Sequence, residues 1–277
     1  MNETSRAARG HAARVAWSRC AGALLLAASL QASGGPSDAR AIIEGVYRQD
    51  TSHDALIKAG FEIFDKDGHS TQKKFTVSRI GAPGERRTLV VFSDPQEIRG
   101  VALLSISRPG ASARQYLYVP AIQRVRAVAV QQRTERFLGT DFSFEDIQER
   151  ALDDYSYRLL GDTELIDGHK TYKIEATPLD RADSQYKFLH YWVAQDAPVI
   201  IYAEMFDDQG AKVRTLHATQ LRRLSGIWGV RHTEVHTVRE GTRTILSITD
   251  VKLNTGLNEQ LFTPQALEAS AGPKTAD

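Results

Sequence analysis

One cysteine occurs in the 277 residues, Cys20, and it stands at the head of the most apolar run, "CAGALLLAASL" from Cys20 to Leu30. Arg6, Arg9, Arg14 and Arg19 precede the run against a single acid, Glu3, and the small residues "QASGG" follow it. A basic lead, an apolar stretch of about 7–15 residues and a small-residue exit form the pattern of a secretory signal peptide. The run is shorter than the roughly 20 apolar residues that cross a bilayer. Cleavage is expected after Ala32, or as late as "ARA" ending at Ala41. The mature chain then has no thiol, which excludes disulfides and cysteine nucleophiles and leaves stability to burial. An exported chain of this kind fits a bacterial periplasm.

Other absences narrow the function. Without residues 1–32 the chain has 31 basic against 33 acidic residues, so it lacks the basic excess that nucleic acid demands. No G-x-S-x-G elbow occurs, and "GAPGE" and "FLGTD" hold too little glycine for a phosphate-binding loop. No enzymatic activity and no cofactor are expected.

What is present is strand pattern. Residues 38–49, "DARAIIEGVYRQ", read as a helix capped by Asp38, with Ile42, Ile43, Val46 and Tyr47 on one face. Eleven runs of period two follow: "LIKAGFEIFD", "KKFTVSRI", "RRTLVVFS", "VALLSISR", "RQYLYVP", "KTYKIEATP", "KFLHYWVA", "VIIYAEMF", "KVRTLHAT", "VRHTEVHTV" and "TRTILSITDV". Asp67-Gly68, Pro83-Gly84, Pro109-Gly110, Asp167-Gly168, Gln209-Gly210 and Glu240-Gly241 punctuate them as hairpin turns. The expected fold is mainly β: a single curled antiparallel sheet of about eleven strands, an unclosed barrel whose apolar concave face is plugged by a few helices. One domain over 38–268, a short helix from Thr263-Pro264 and a disordered tail over 270–277 complete the reading.

Three stretches could carry function. In "HTEVH", His232, Glu234 and His236 share a strand face and could hold a zinc ion in a hydrolase; a polar outer face explains them as well. Arg124 and Arg126, in "QRVRAVAVQQRTER", are either solvated charges or, with Arg99, a docking patch for anionic headgroups or an acidic partner. In "RFLGTDFSFEDI", residues 136–147, Asp141, Glu145 and Asp146 alternate with Phe137, Phe142 and Phe144. Such acids are either raised general acids or parts of a structural turn.

This last stretch resembles the signature F-x-G-S-D-[FY]-S-[YF]-E-D-[LI] of periplasmic outer-membrane lipoprotein-sorting proteins, relatives of the LolA-type lipoprotein carrier. "FSDPQEIRGVALLSI", "QYLYVPAIQRVRAV", "YKIEATP", "YWVAQDAPVIIYAEMFDDQGAKVRTLHA" and "LFTPQALE" are similar to further family segments in the same order, over about residues 40–268. Gln115 departs where the family often has an aromatic residue, and Ala127 where it has arginine. The resemblance implies an unclosed barrel and non-covalent shielding of the acyl chains of a lipoprotein or other lipid for transfer towards the outer membrane. It also implies a second option, an accessory protein of an RND-type exporter. A monomer is expected. Phe137, Gly139, Asp141, Phe142, Phe144, Glu145 and Asp146 are the motif residues. They are read as structural, with Asp141 or Ser143 capping a short helix and the acids paired with Arg99 or Arg126. Alternation picks Phe61, Ile63, Leu89, Val91, Leu103, Leu117, Trp192 and Tyr202 as cavity lining.

Overall fold

The structure, a computed structural model, describes residues 38–181 and 184–271. The segment expected to be a signal peptide and the residues beyond Ala271 lie outside the described residues. Helix α1 (Ala39–Arg48) comes first, followed by strands β1 (Asp54–Phe64), β2 (Ser70–Ile80), β3 (Arg87–Asp94), β4 (Ala102–Arg108), β5 (Ala111–Val119) and β6 (Arg124–Ala127). A long connection carries the single helical turn α2 (Phe144–Ile147). Then come β7 (Tyr155–Ile166), β8 (His169–Pro178), β9 (Phe188–Ala194), β10 (Ile200–Phe206), β11 (Lys212–Leu224), β12 (Ile227–Thr237), β13 (Thr242–Leu253) and helix α3 (Pro264–Ala271).

All thirteen strands form one antiparallel sheet in the order β6-β5-β4-β3-β2-β1-β13-β12-β11-β10-β9-β8-β7. Two meanders are joined where the first strand pairs with the last, Phe61 opposite Leu246. The six expected glycine turns all join neighbouring strands; at Asp167-Gly168 both residues take positive φ, +50° and +83°, as a tight hairpin turn requires. β6 and β7 remain unpaired with each other, so the barrel is not closed.

The count of eleven strands is corrected to thirteen, and the two additions are these free edges. β6 is four residues long and rich in arginine. β7 is interrupted by register shifts at Leu159/Gly161 and Gly161/Glu164, which erase its alternation. Short or bulged strands are how proteins blunt exposed edges, and the same features keep them out of a count of full-length period-two runs.

Asp38 accepts a hydrogen bond from the Arg40 amide at 2.9 Å and caps α1 as expected. Thr263 likewise accepts from the Ala266 amide at 3.1 Å at the start of α3, which extends to Ala271 and so takes in the first residues assigned to the tail. A ten-residue helix is marginal alone, and α1 is held by what it covers. Ile42 and Ile43 pack on Ile174, Ala176, Leu189, Tyr191, Val193 and Ala203 of β8–β10. This defines the inner face of the sheet. On the outer face Phe262 and Leu267 cover Ile80, Leu104 and Tyr118.

Ile43 is 1% exposed. Ile43→Ala should cost about 2–5 kcal/mol, the usual range for a large-to-small core change, read as a lowered midpoint in urea unfolding. A change below about 0.5 kcal/mol would show that α1 contributes little to stability.

Candidate functional site

The chain travels from one free edge to the other through residues 128–154, and this connection lies on the inner face. It starts with a hairpin-like reversal in which the Phe137 amide donates to the Phe142 carbonyl at 2.8 Å. Ser143, not Asp141, is the helix cap: Asp146 donates its amide to Ser143 Oγ at 3.2 Å, and its carboxylate accepts from the Ser143 amide at 2.9 Å. That reciprocal box sets the direction of everything around it. Phe137, Phe142 and Phe144 enter a cluster with Phe61, Phe75, Phe92, Leu103 and Leu117. The rings meet in sequence, Phe142 with Phe61 at 5.5 Å and Phe137 with Phe92 at 5.7 Å and with Phe144 at 5.3 Å.

The acids point to the other half of the sheet. Asp141 has no exposed surface. It accepts hydrogen bonds from Thr237 on β12 and Thr244 on β13, both at 2.6 Å, from Thr242, and from Arg136 at 2.9 Å. Its own amide donates to Thr244 Oγ1 at 2.8 Å. Glu145 accepts from Ser184 Oγ at 2.6 Å and from the Gln185 amide at 2.9 Å. Asp146 meets Arg150 at 2.9 Å, Arg214 at 3.0 Å and the Tyr186 hydroxyl at 2.9 Å. Burial pushes the Asp146 carboxyl up, but Arg150, Arg214 and the Ser143 bonds outweigh it and hold the group below the usual carboxylate range. At neutral pH Asp146 is therefore ionised, with both oxygens taken up by these partners.

Arg99 and Arg126 do not pair with them, which corrects that expectation. Arg99 donates instead to the Ser93 carbonyl at 3.1 Å. Arg124 and Arg126 lie opposite Val119 and Leu117 on the free strand β6 and are exposed. Gly139, at φ +76°, turns the chain back after Phe137. Gln115, the departure from the aromatic pattern, is buried and donates to the Phe144 carbonyl at 2.9 Å, so it also secures the connection. Ala127 is exposed at the edge.

Of the eight lining residues, Phe61, Ile63, Leu103 and Leu117 face inward beneath the connection. The other four do not. Leu89 and Val91 register with Leu104 and Ala102, on the face opposite Leu103, and it is Val90 and Phe92 that point in. Trp192 and Tyr202 pair with each other at 5.1 Å on the outer face, because Tyr191 and Val193 take the inward positions. Trp192 donates to Glu164 at 2.6 Å and has Lys173 over its ring at 4.5 Å. A one-residue change of parity exchanges the faces, and on these strands the outward parity is as apolar as the inward one.

His232, Glu234 and His236 do form a row on β12, but Glu234 lies between the histidines and is engaged by His236 and, at 3.3 Å, by Arg243. The metal-compatible grouping among the described residues is a different one, Asp65, Asp67 and His69 in an exposed turn, where Asp65 is occupied by the turn's own amides. Sequence reading missed a second charged cluster at the rim. Asp50 accepts from Arg79 and, at 2.8 Å, from Arg86, and Glu149 accepts from the Gly84 amide at 3.0 Å. A cavity of about 550 Å³ opens there between Tyr47, Asp50, Gly84, Arg150 and Leu152. No spacing signal links Asp50 to Arg79 and Arg86.

The fold and this site define a class: an unclosed antiparallel barrel with its inner face covered by chain segments. A family model described as an uncharacterized protein matches residues 84–269, and the chain belongs to that family. No curated protein matches it. The chain is similar in structure to an outer membrane lipoprotein-sorting protein domain from Vibrio parahaemolyticus, with TM-score 0.79, 23% identity and coverage of 83% of this chain and 98% of that one. It is also similar to a DUF1329 family protein from Desulfovibrio piger, with TM-score 0.77, 28% identity and coverage of 83% and 98%. A LolA superfamily protein from Nitrosomonas europaea follows with TM-score 0.66, 21% identity and coverage of 81% and 97%. The fold is therefore LolA-like.

Two outcomes are expected of the buried acids. Asp141→Ala should cost about 3 kcal/mol or more in urea unfolding, since it strips the partner from several buried donors. Asp146, with its folded pKa below the ordinary value of 3.8, contributes stability that is complete above that pH and lost as pH falls below it. Circular dichroism between pH 6 and pH 2 should show this loss, and Asp146→Asn should be weaker at neutral pH yet lose less on acidification.

Proposed function

We propose that the chain is a periplasmic carrier that takes the acyl chains of a lipoprotein or other lipid onto the inner face of the half-barrel, for transfer towards the outer membrane. The observation that carries this reading is the nature of the cover. Both halves of the inner face are apolar, yet they are closed by chain segments rather than by more sheet. The two covers differ in strength. The connection is tied down by Asp141, Glu145 and Asp146, whereas α1 rests mainly on the apolar contacts of Ile42, Ile43, Val46 and Tyr47. Its polar ties are Arg40 to Asp153, and Gln49 to the Pro198 carbonyl at 2.9 Å and from the Trp228 amide at 2.9 Å.

An acyl chain gains roughly 0.8 kcal/mol for each CH₂ buried, so it can take the place of the α1 side chains over β8–β10. The likeness to lipoprotein-sorting structures and the export pattern of residues 1–32 support the same reading. A second reading, an accessory protein of an RND-type exporter acting through protein binding, draws on one observation. Phe137, Phe142 and Phe144 already fill the inner face of β1–β5.

Native mass spectrometry of protein purified gently from a periplasmic extract, with lipid analysis of what it releases, separates the two. One chain with a stoichiometric acylated ligand is expected. A bare mass that persists after incubation with membranes and acylated lipoprotein would favour the accessory reading.

A further inference from the structure

Residues 98–134 hold six arginines, Arg99, Arg108, Arg114, Arg124, Arg126 and Arg133, and no lysine, aspartate or glutamate. They make up β4, β5 and β6, one free margin of the sheet. Residues 141–167, which lead to and form the opposite margin, hold nine acids against Arg150 and Arg158. A chain close to neutral overall has sorted its charge between the two edges of its opening.

The two margins differ in compensation as well as sign. Most of the acids have partners: Asp153 meets Arg40, Glu164 meets Lys173 at 3.3 Å, and Asp167 meets His217 at 2.6 Å. Arg99, Arg108, Arg114, Arg124 and Arg126 are exposed and make no ion pair among the described residues. Glu268, the acid that α3 brings over these strands, pairs with none of them.

Their placement indicates the shape of the partner. Arg124 and Arg126 stand opposite Val119 and Leu117 on the inner side of the edge, and Arg114 stands opposite Ile106 on the outer side. Arg108 ends β4 and Arg99 stands three residues before its start, so that the strand, about 20 Å long, lies between them. Charges on both faces, both ends and the edge form a broad field rather than a groove. Ile122, 58% exposed, and Val130, 47% exposed, flank β6, and a lipid interface accommodates such side chains where an acidic peptide gives them nothing. We infer that the β4–β6 margin docks on an anionic lipid surface, with the acidic margin turned away from it. The docking does not require a lipid inside the barrel, so it stands apart from the carrier reading.

The test is sedimentation of the purified protein with vesicles of phosphatidylcholine alone or mixed with phosphatidylglycerol, at low and high salt. Binding to the anionic vesicles only, reversed by salt, is expected. Arg124→Glu with Arg126→Glu should weaken it by about tenfold or more. Arg222→Glu, at the exposed far end of β11, should leave it unchanged. Equal binding to neutral vesicles, or full binding by the double variant, overturns the proposal. So does absence of vesicle binding in a protein that sediments as chains of copies, which would assign the opposed edges to each other. Ligand found by native mass spectrometry with no vesicle binding would overturn the docking and leave the carrier reading intact.

Discussion

Asp141 is held by three threonine hydroxyls and a guanidinium where the connection crosses the middle of the sheet, and the remaining architecture depends on that hold. The sheet's two ends never meet, so nothing in the strand ladder fixes how far apart the halves stand. The connection does. Its rings go into the β1–β5 half and its carboxylates reach β11–β13 and residues 184–186, which makes it a staple across an open structure. A buried carboxylate is costly unless its lone pairs are used. Here they are used by groups drawn from different strands, so the anion is stable only when those strands are correctly assembled.

Much of this was legible in the sequence and some of it could not be. The caps at Asp38 and Thr263 and the glycine turns are local chemistry, read within a few residues, and the structure agrees with them. Strands buried on one face gave the period-two signal. β6 alternates over only four residues, Arg124 to Ala127, and β7 loses its alternation at the shifts around Gly161, so neither adds to a count of full-length strands. On β3 and β9–β10 the alternation does not itself say which parity points inward. Leu89 and Trp192 look as suited to a core as Val90 and Tyr191 do.

The motif illustrates the same limit at a finer scale. Acids beside phenylalanines suggest either catalysis or structure, and the choice rests on partners distant in sequence. Arg150, four residues after Asp146, was within reach of a helical reading. Arg214, Tyr186, Thr237 and Thr244 were not, since only the assembled sheet brings them there. Gln115 shows that a departure from a family pattern need not mark a functional difference: its amide performs a positioning task on the Phe144 carbonyl.

The pairing of the first strand with the last has a kinetic consequence. Asp54, where β1 begins, accepts from the amides of Thr255 at 2.7 Å and Gly256 at 2.8 Å, some two hundred residues later. The two meanders can each form from local hairpins, but the seam that unites them requires the end of the chain. Contacts so distant in sequence slow folding. The sheet is therefore complete only when nearly all of the chain is available, and the connection that covers the first meander has no anchor for Asp141 or Asp146 until β11–β13 have followed.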